Sequence, residues 1–213
     1  MYIKDYMTTE LITISRNTSI AKASDLMNAH DINRLPVIED GQLVGLVTRE
    51  IVVKNSPSDA TSLDRHELNY LLEKATVEDI MQKNVITKTP ETLLDEAAAT
   101  MSNENIGVLV VVDEQDRVAG IITDKDIFKA FIDISGYYSR GTSLVIELEE
   151  DRQGVIEEVG DSLVETDHNL THMMVYHLDG AIRVVLHVES EVVTELTASL
   201  TSKGYDVQTV VNR

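Results

Sequence analysis

Apolar and polar positions along the first 135 residues follow one pattern that occurs twice. Each copy begins with an apolar run, which is followed by apolar residues at helical spacing, as at Ile20, Ala23 and Met27. Two further apolar runs and a second stretch with helical spacing come next. This order predicts a strand–helix–strand–strand–helix unit of α+β type. The predicted elements are strands at Leu11–Ile14, Leu35–Ile38 and Leu43–Val47 with a helix cap at Thr18, and strands at Val85–Thr87, Leu109–Val112 and Val118–Ile122 with a helix cap at Thr92.

The two copies are related by a shift of 74 residues, which aligns Ile3–Glu39 with Val77–Asp113. After a one-residue insertion, Gly45–Thr48 aligns with Gly120–Thr123. Two copies of one unit predict two half-modules packed with pseudo-twofold symmetry. Such a pair offers a cleft between the copies and does not suggest one catalytic centre.

The pattern changes after Gly136–Gly141, where two glycines enclose a polar stretch. Downstream, apolar residues alternate over Leu144–Leu148, and Asp179-Gly180 predicts a hairpin between two apolar runs. The predicted order is strand, helix, strand, strand, helix, strand, the ferredoxin-like arrangement. We therefore divide the chain into copies at 1–54 and 77–135, a linker with an amphipathic helix at 55–76, a linker at 136–141 and a C-terminal domain at 142–213.

Composition narrows the function classes. The chain is 43% apolar, has no cysteine and carries a net charge of −19. Disulfides and thiolate metal sites are excluded, and a protein this acidic is a poor general binder of nucleic acid or anionic membrane. With no apolar run of membrane-spanning length and no signal-peptide pattern at the start, we expect a cytoplasmic location.

The repeat closely resembles the CBS domain. The resemblance rests on Ile32–Gly41 with Gly45–Thr48, and on Ile106–Asp113 with Gly120–Ile127. It implies a tandem pair, or Bateman module, that senses adenine nucleotides or similar ligands. The C-terminal part resembles an ACT domain through its element order and Asp151–Gly154, although Gln153 stands where that loop usually has proline. The combination resembles the acetoin-utilisation regulatory proteins of bacteria.

The ligand signature of the CBS family, Gly-hydrophobic-x-Ser/Thr-x-x-Asp, is intact in copy two as Gly120, Thr123 and Asp126. The resemblance implies that Thr123 and nearby amides face a phosphate and that Asp126 accepts from the ribose hydroxyls. The alternative is that Thr123 only caps a helix and Asp126 is a first-turn acid favoured by the helix dipole. The adenine ring would contact strand residues, with Thr87 at the rim: Ile86, Leu109, Val111 and Ile122.

Copy one departs from the signature. Thr48 is present, but Ile51 stands at the position of the aspartate, which makes ribose recognition doubtful there. Arg34 and Arg49 could meet phosphates from this side. Each could equally be a solvated surface arginine.

Two function hypotheses remain. The first is a homodimeric ligand-sensing regulator that acts on an unknown target protein. It binds an adenine nucleotide in the CBS pair, and its ACT-like domain serves for dimerisation or for sensing an amino acid near Asp151 and Gly154. The second is a scaffold module with degenerate sites. No nucleophilic cysteine, glycine-rich phosphate loop or His-Glu-x-x-His pattern supports an enzyme, and the spacing of His168, His172 and His177 gives no reason to expect a metal.

Overall fold

The computed structural model describes residues 1–55, 74–148, 152–178 and 181–212. The chain divides into two compact units, Met1–Ile127 and Phe128–Arg213, which we describe separately. The predicted amphipathic helix of the linker, Asp151 and the Asp179-Gly180 turn lie outside the described residues. Within the described part of the chain, no helix has both the length and the apolar character needed to cross a bilayer.

Copy one is built from two helices and a hairpin. Its elements are α1 (Ile20–Ala29), β1 (Arg34–Glu39), β2 (Gln42–Thr48) and α2 (Arg49–Asn55). The cap of α1 is Ser19, whose Oγ accepts from the Lys22 amide at 3.2 Å, so the predicted cap at Thr18 is wrong by one residue. The predicted strand Leu11–Ile14 is also wrong, because only Ile14 pairs, as an isolated parallel bridge to Val37.

Copy two repeats this order with one further short strand, which occupies Thr87–Lys88 and not the predicted Val85–Thr87. Its elements are β3 (Thr87–Lys88), α3 (Leu94–Glu104), β4 (Val108–Val112), β5 (Val118–Thr123) and α4 (Asp124–Ile134). Strand β4 pairs parallel with β3 and antiparallel with β5. The predicted cap at Thr92 is wrong, because α3 begins at Leu94 after Leu93, which makes no side-chain cap.

The hairpin turns of the two copies differ. In copy one, Asp40 and Gly41 have φ of 50° and 82°, the two successive positive values of a tight type I′ turn. Copy two has a longer turn that is held by a side chain. Asp113 accepts from the amides of Gln115 and Arg117, both at 2.9 Å, and forms an ion pair with the Arg117 guanidinium at 2.7 Å.

The segment that begins each copy packs on the other copy. The Ile3 amide donates to Thr92 O at 2.9 Å, and the Val77 amide donates to Thr18 O at 2.8 Å. Ile3 and Val77 are both completely buried. In the same reciprocal way, Thr8 bridges to Ile121 and Gln82 bridges to Leu46. The first segment of each copy is therefore part of the packing of the other copy. The repeat pattern alone does not reveal this exchange.

The C-terminal unit contains a four-stranded antiparallel sheet and two helices. Its elements are β6 (Thr142–Leu148), α5 (Val155–Glu165), β7 (Leu170–Leu178), β8 (Ala181–Val188), α6 (Thr194–Ser202) and β9 (Asp206–Asn212). The sheet order is β7-β8-β6-β9, and the predicted order of elements is confirmed. Gly204, just after α6, has the positive φ expected there, 89°.

A polar cluster joins three parts of this unit. The Arg152 guanidinium donates to both oxygens of Glu158 at 2.6 Å, and the Tyr205 hydroxyl donates to Glu158 Oε2 at 2.6 Å. These bonds, the one from Arg152 first, lower the pKa of Glu158 to about 2. Burial, together with the bond to Glu158, raises the pKa of Tyr205 to about 12. The cluster ties the loop before α5 to the start of β9.

Candidate ligand cleft between the two copies

A cleft of about 510 Å³ lies between the two copies in the first unit. A volume of this order is in the range of small-molecule sites in proteins. The beginnings of α2 and α4 contribute to its wall. Apolar side chains from both copies complete the wall: Leu46, Ile51, Val85, Ile86, Ile106 and Val108. The cleft is therefore built where the two copies meet, as the repeat predicted.

The lining of this cleft is more basic than the rest of the chain. Four basic and two acidic side chains contribute to it: Arg34, Arg49, Lys54, Lys125, Glu50 and Asp124. The whole chain carries −19. An anion would meet a local excess of positive charge here, in a protein whose overall field repels it.

Arg34 connects the two copies across the cleft. Its Nη2 donates to Gly107 O at 2.8 Å and lies 3.6 Å from Asp124 Oδ1. A Cβ at position 107 would lie 3.1 Å from Arg34 Nη2 and 3.3 Å from Asp124 Oδ2. A glycine there lets the guanidinium approach the backbone, so a side chain of copy one is hydrogen-bonded to the backbone of copy two just before β4.

Arg49, in contrast, is bound within copy one. Its guanidinium donates to Asn33 Oδ1 at 2.6 Å, Asn28 Oδ1 at 2.7 Å, Ile32 O at 3.0 Å and Met27 O at 3.1 Å. These acceptors lie at the end of α1 and in the loop before β1. Arg49 is therefore a tie between α2 and that loop, a role that neither sequence interpretation had assigned to it.

Thr123 and Asp126 form a helix cap at the start of α4. Asp126 Oδ2 accepts from the Thr123 amide at 2.8 Å and from its hydroxyl at 2.7 Å. The same arrangement occurs at Thr76 and Asp79, with both distances 3.1 Å. Capping thus accounts for these bonds, and ribose recognition by Asp126 stays a prediction. The counterpart Thr48 also caps its helix, by accepting from the Ile51 amide at 3.3 Å.

The structure brings some of the predicted site residues to the cleft and not others. Arg34, Thr48 and Ile86 line it, and Thr123 and Asp126 flank its lining residues Asp124 and Lys125. The remaining predicted residues lie elsewhere, with Thr87 in a neighbouring pocket of about 250 Å³ and three residues fully buried: Leu109, Val111 and Ile122.

These three residues do not line the cleft, so their predicted contact with the adenine ring stays a prediction. Side chains on a strand alternate between its two faces. In β4 it is Val108 that lines the cleft, whereas Leu109 is completely buried. The glycine at position 120 is explained by packing, because a Cβ there would lie 2.8 Å from Thr8 O.

Sequence reasoning also missed cleft residues, chiefly Lys54, Lys125 and Gly107. Lys125 carried a usable signal, since it stands inside the signature between Thr123 and Asp126. Lys54 and Gly107 carried none, because their positions in the cleft depend on how the copies pack.

The predicted C-terminal site lies beside a mostly apolar pocket of about 550 Å³. Gly154, with φ of 94°, precedes α5 and lines this pocket with Ile156 and Val175. Arg152 also lines it, but its guanidinium is held by Glu158. Among the described residues, no group of three or more histidine and acidic side chains could hold a metal ion.

Comparison with known proteins identifies a family and several relatives. The CBS domain family matches residues 3–57 and 77–133. A CBS domain pair of protein MJ0100, solved with 5′-methylthioadenosine and S-adenosyl-L-methionine, is 34% identical, has a TM-score of 0.51 and covers 62% of this chain and 95% of that one. CBSX2, solved in complex with AMP, is 28% identical with a TM-score of 0.51, covering 62% and 97%. A putative acetoin utilization protein (AcuB) from Vibrio cholerae is 28% identical with a TM-score of 0.52, covering 62% and 91%.

Curated relatives include longer proteins. L-aspartate semialdehyde sulfurtransferase of Methanocaldococcus jannaschii is 35% identical over 130 residues, which are 61% of this chain and 23% of that protein. The chain spans 46% of another relative from the same organism, the uncharacterized protein MJ1225, at 34% identity. The similarity therefore concerns a module that also occurs within larger proteins, some of them enzymes.

Proposed function

This chain belongs to the CBS domain family, and we propose that its CBS pair is a ligand-sensing regulatory module for an adenine nucleotide or a related adenosyl ligand. The observation that carries the proposal is the cleft of about 510 Å³ with four basic side chains in a chain of net charge −19. Its apolar wall suits a purine ring, and its basic residues suit phosphate. Two related CBS structures contain adenosyl ligands, which supports this ligand class.

A thermal-shift panel tests the proposal. AMP, ADP, ATP, S-adenosylmethionine and a set of amino acids are each titrated against the full chain. A ligand that binds only the folded state raises the melting temperature as its concentration rises. We expect at least one adenosyl ligand to do so, whereas guanosine and cytidine nucleotides at the same concentrations should have less effect. No shift with any adenosyl ligand would contradict the proposal.

For the C-terminal unit we propose a ferredoxin-like ACT-type role in dimerisation or amino-acid sensing. The sheet order β7-β8-β6-β9 and its antiparallel pairing support this architecture. An amino acid would approach Gly154, although Arg152 is already engaged by Glu158. Residues 142–213 should fold without the CBS pair, and Gly154→Val should reduce amino-acid binding if the ligand lies there.

We also propose that the chain forms a homodimer. Its two phenylalanines, Phe128 and Phe131, are 65% and 62% exposed and lie one turn apart on α4, so they form an apolar surface that a second copy could cover. Light scattering at micromolar concentration should give about twice the 23.7 kDa of one chain. A mass near 24 kDa would contradict this.

A scaffold without a ligand is the second candidate. It is favoured by the bonds of Asp126 to Thr123, which use the predicted ribose acceptor as a helix cap. The thermal-shift panel separates the two candidates. That the chain has no catalytic activity of its own, acts on a separate target protein and is cytoplasmic, without nucleic acid or membrane partners, stays a prediction.

A further inference from the structure

We infer that Lys54 and Lys125, one from each copy, bind the phosphate end of the ligand and make the cleft selective for phosphorylated adenosines over cationic or uncharged adenosyl compounds. This inference rests on the proposed function. It differs from the sequence hypothesis, in which Arg34, Arg49 and Thr123 met the phosphate.

The guanidinium groups of Arg34 and Arg49 already form contacts within the protein. Arg49 donates to four acceptors of copy one, at 2.6–3.1 Å. Arg34 donates to Gly107 O and lies 3.6 Å from Asp124. A phosphate that recruited either guanidinium would have to replace these bonds, and much of the gain would be lost in doing so.

The two lysines are in a different position. Across the four described ranges, neither Lys54 nor Lys125 forms an ion pair, even though Glu50 stands one turn before Lys54 on α2. Both line the cleft. Their ammonium groups can reorient on flexible stems, so a phosphate can recruit them without breaking an existing contact.

The two lysines come from opposite sides of the cleft. Lys125 is the second residue of α4, whose beginning contributes to the cleft wall in copy two. Lys54 approaches from the other copy. A phosphate in the cleft would thus be contacted from both copies. An uncharged methylthio group would gain nothing from the two lysines, and a cationic sulfonium would be repelled by them.

The test is titration calorimetry on the full chain with adenosine, AMP, ATP and S-adenosylmethionine. The variants are Lys54→Met and Lys125→Met, singly and together, since methionine keeps most of the aliphatic stem. Matched controls are Lys22→Met on α1 and Lys129→Met on α4, which remove the same charge from residues that do not line the cleft. Melting temperatures of all variants show that each one folds.

We expect each cleft variant to weaken AMP binding by about five- to tenfold, the size of one charge-assisted contact that is partly exposed, and the double variant to weaken ATP binding further. Adenosine affinity should change by less than about twofold, because the removed charges have no phosphate to meet. Higher salt should weaken nucleotide binding in the natural chain and have less effect in the double variant. The controls should behave like the natural chain.

Two results would overturn the inference and are distinguishable. If the natural chain binds adenosine or S-adenosylmethionine as tightly as AMP, and the lysine variants bind AMP unchanged, the inference fails while the adenosyl site stands. If no adenosyl compound binds the natural chain, the proposed function fails and the inference fails with it.

Discussion

The two copies use the same backbone position for opposite purposes. After the second hairpin strand, copy one reads Thr48-Arg49-Glu50-Ile51 and copy two reads Thr123-Asp124-Lys125-Asp126. In both, the threonine lies at the start of a helix that it helps to cap. The next residue differs in charge: Arg49 binds its own copy, whereas Asp124 faces Arg34 of the other copy. Duplication kept the local structure, and divergence of the charges made the cleft asymmetric.

The largest expected effect concerns what the copies share, their reciprocal first segments. Ile3→Ala should destabilise the first unit by about 3 kcal/mol and Val77→Ala by about 2 kcal/mol, since each deletes a fully buried side chain that packs on the opposite copy. Urea unfolding of each variant measures the change. Val53→Ala, at a position 67% exposed, is the control and should be nearly neutral. A neutral Ile3→Ala would mean that the first segment does not dock.

The next largest effect on stability concerns the equivalent residues Arg49 and Asp124, which carry opposite charges. Arg49→Ala should cost about 2 kcal/mol of stability, because four acceptors lose a charged donor. Asp124→Ala, at the equivalent place, should cost less than about 0.5 kcal/mol, because its pair with Arg34 is long and its side chain is 52% exposed. Equal losses in thermal or urea unfolding would remove the contrast between the copies.

Ligand affinity should distinguish the copies at the last residue of the two equivalent segments, which is Ile51 in copy one and Asp126 in copy two. Asp126→Ala should weaken nucleotide binding by at least about tenfold, or about 1.4 kcal/mol, if its carboxylate accepts from the ribose. Ile51→Ala should change affinity much less. Asp79→Ala is the matched control, because it removes the same threonine–aspartate cap at a place outside the cleft. If Asp126→Ala affects calorimetric binding no more than Asp79→Ala, capping is the whole role of Asp126.

The smallest effect lies in the hairpin turns. Hydrogen bonds from Arg117 hold the pKa of Asp113 below its ordinary value of 3.8. The charged carboxylate is therefore favoured in the folded state, so its small contribution to stability is present above pH 3.8 and is lost as the pH falls below that value. An NMR titration of the carboxyl carbon should show the lowered pKa, and Arg117→Ala should return it towards 3.8. An unchanged titration would mean that Arg117 does not act on Asp113.

Sequence patterns predicted the helices and hairpins well where polar and apolar positions alternate clearly. They could not orient β4, because all five residues of Val108–Val112 are buried and no alternation marks its two faces. The resemblance implied Leu109 and Val111 as adenine contacts, whereas Val108 is the β4 residue that lines the cleft. The predicted strand Leu11–Ile14 failed because only Ile14 finds a strand partner and Thr13 is exposed.

Long-range contacts limited the prediction of the candidate site. The role of Arg49 depends on acceptors 16 to 22 residues away, and Arg34 reaches across 73 residues to Gly107. Nothing in the local sequence indicates either bond. The charge of the chain did indicate that an anion would need a local basic site, and the cleft provides one.

The reciprocal docking of the first segments also governs when this fold can form during synthesis. Thr8 is made early, but its partner Ile121 follows more than a hundred residues later. At translation rates of about 5–20 residues per second, the first segment waits roughly 5–20 s before the strand it pairs with exists. Until residue 77 has been made, copy one also lacks Val77, a buried side chain that copy two contributes to its core. A chaperone that shields the growing chain should therefore matter most before copy two has emerged, and translation slowed between the copies should lower the yield of folded protein.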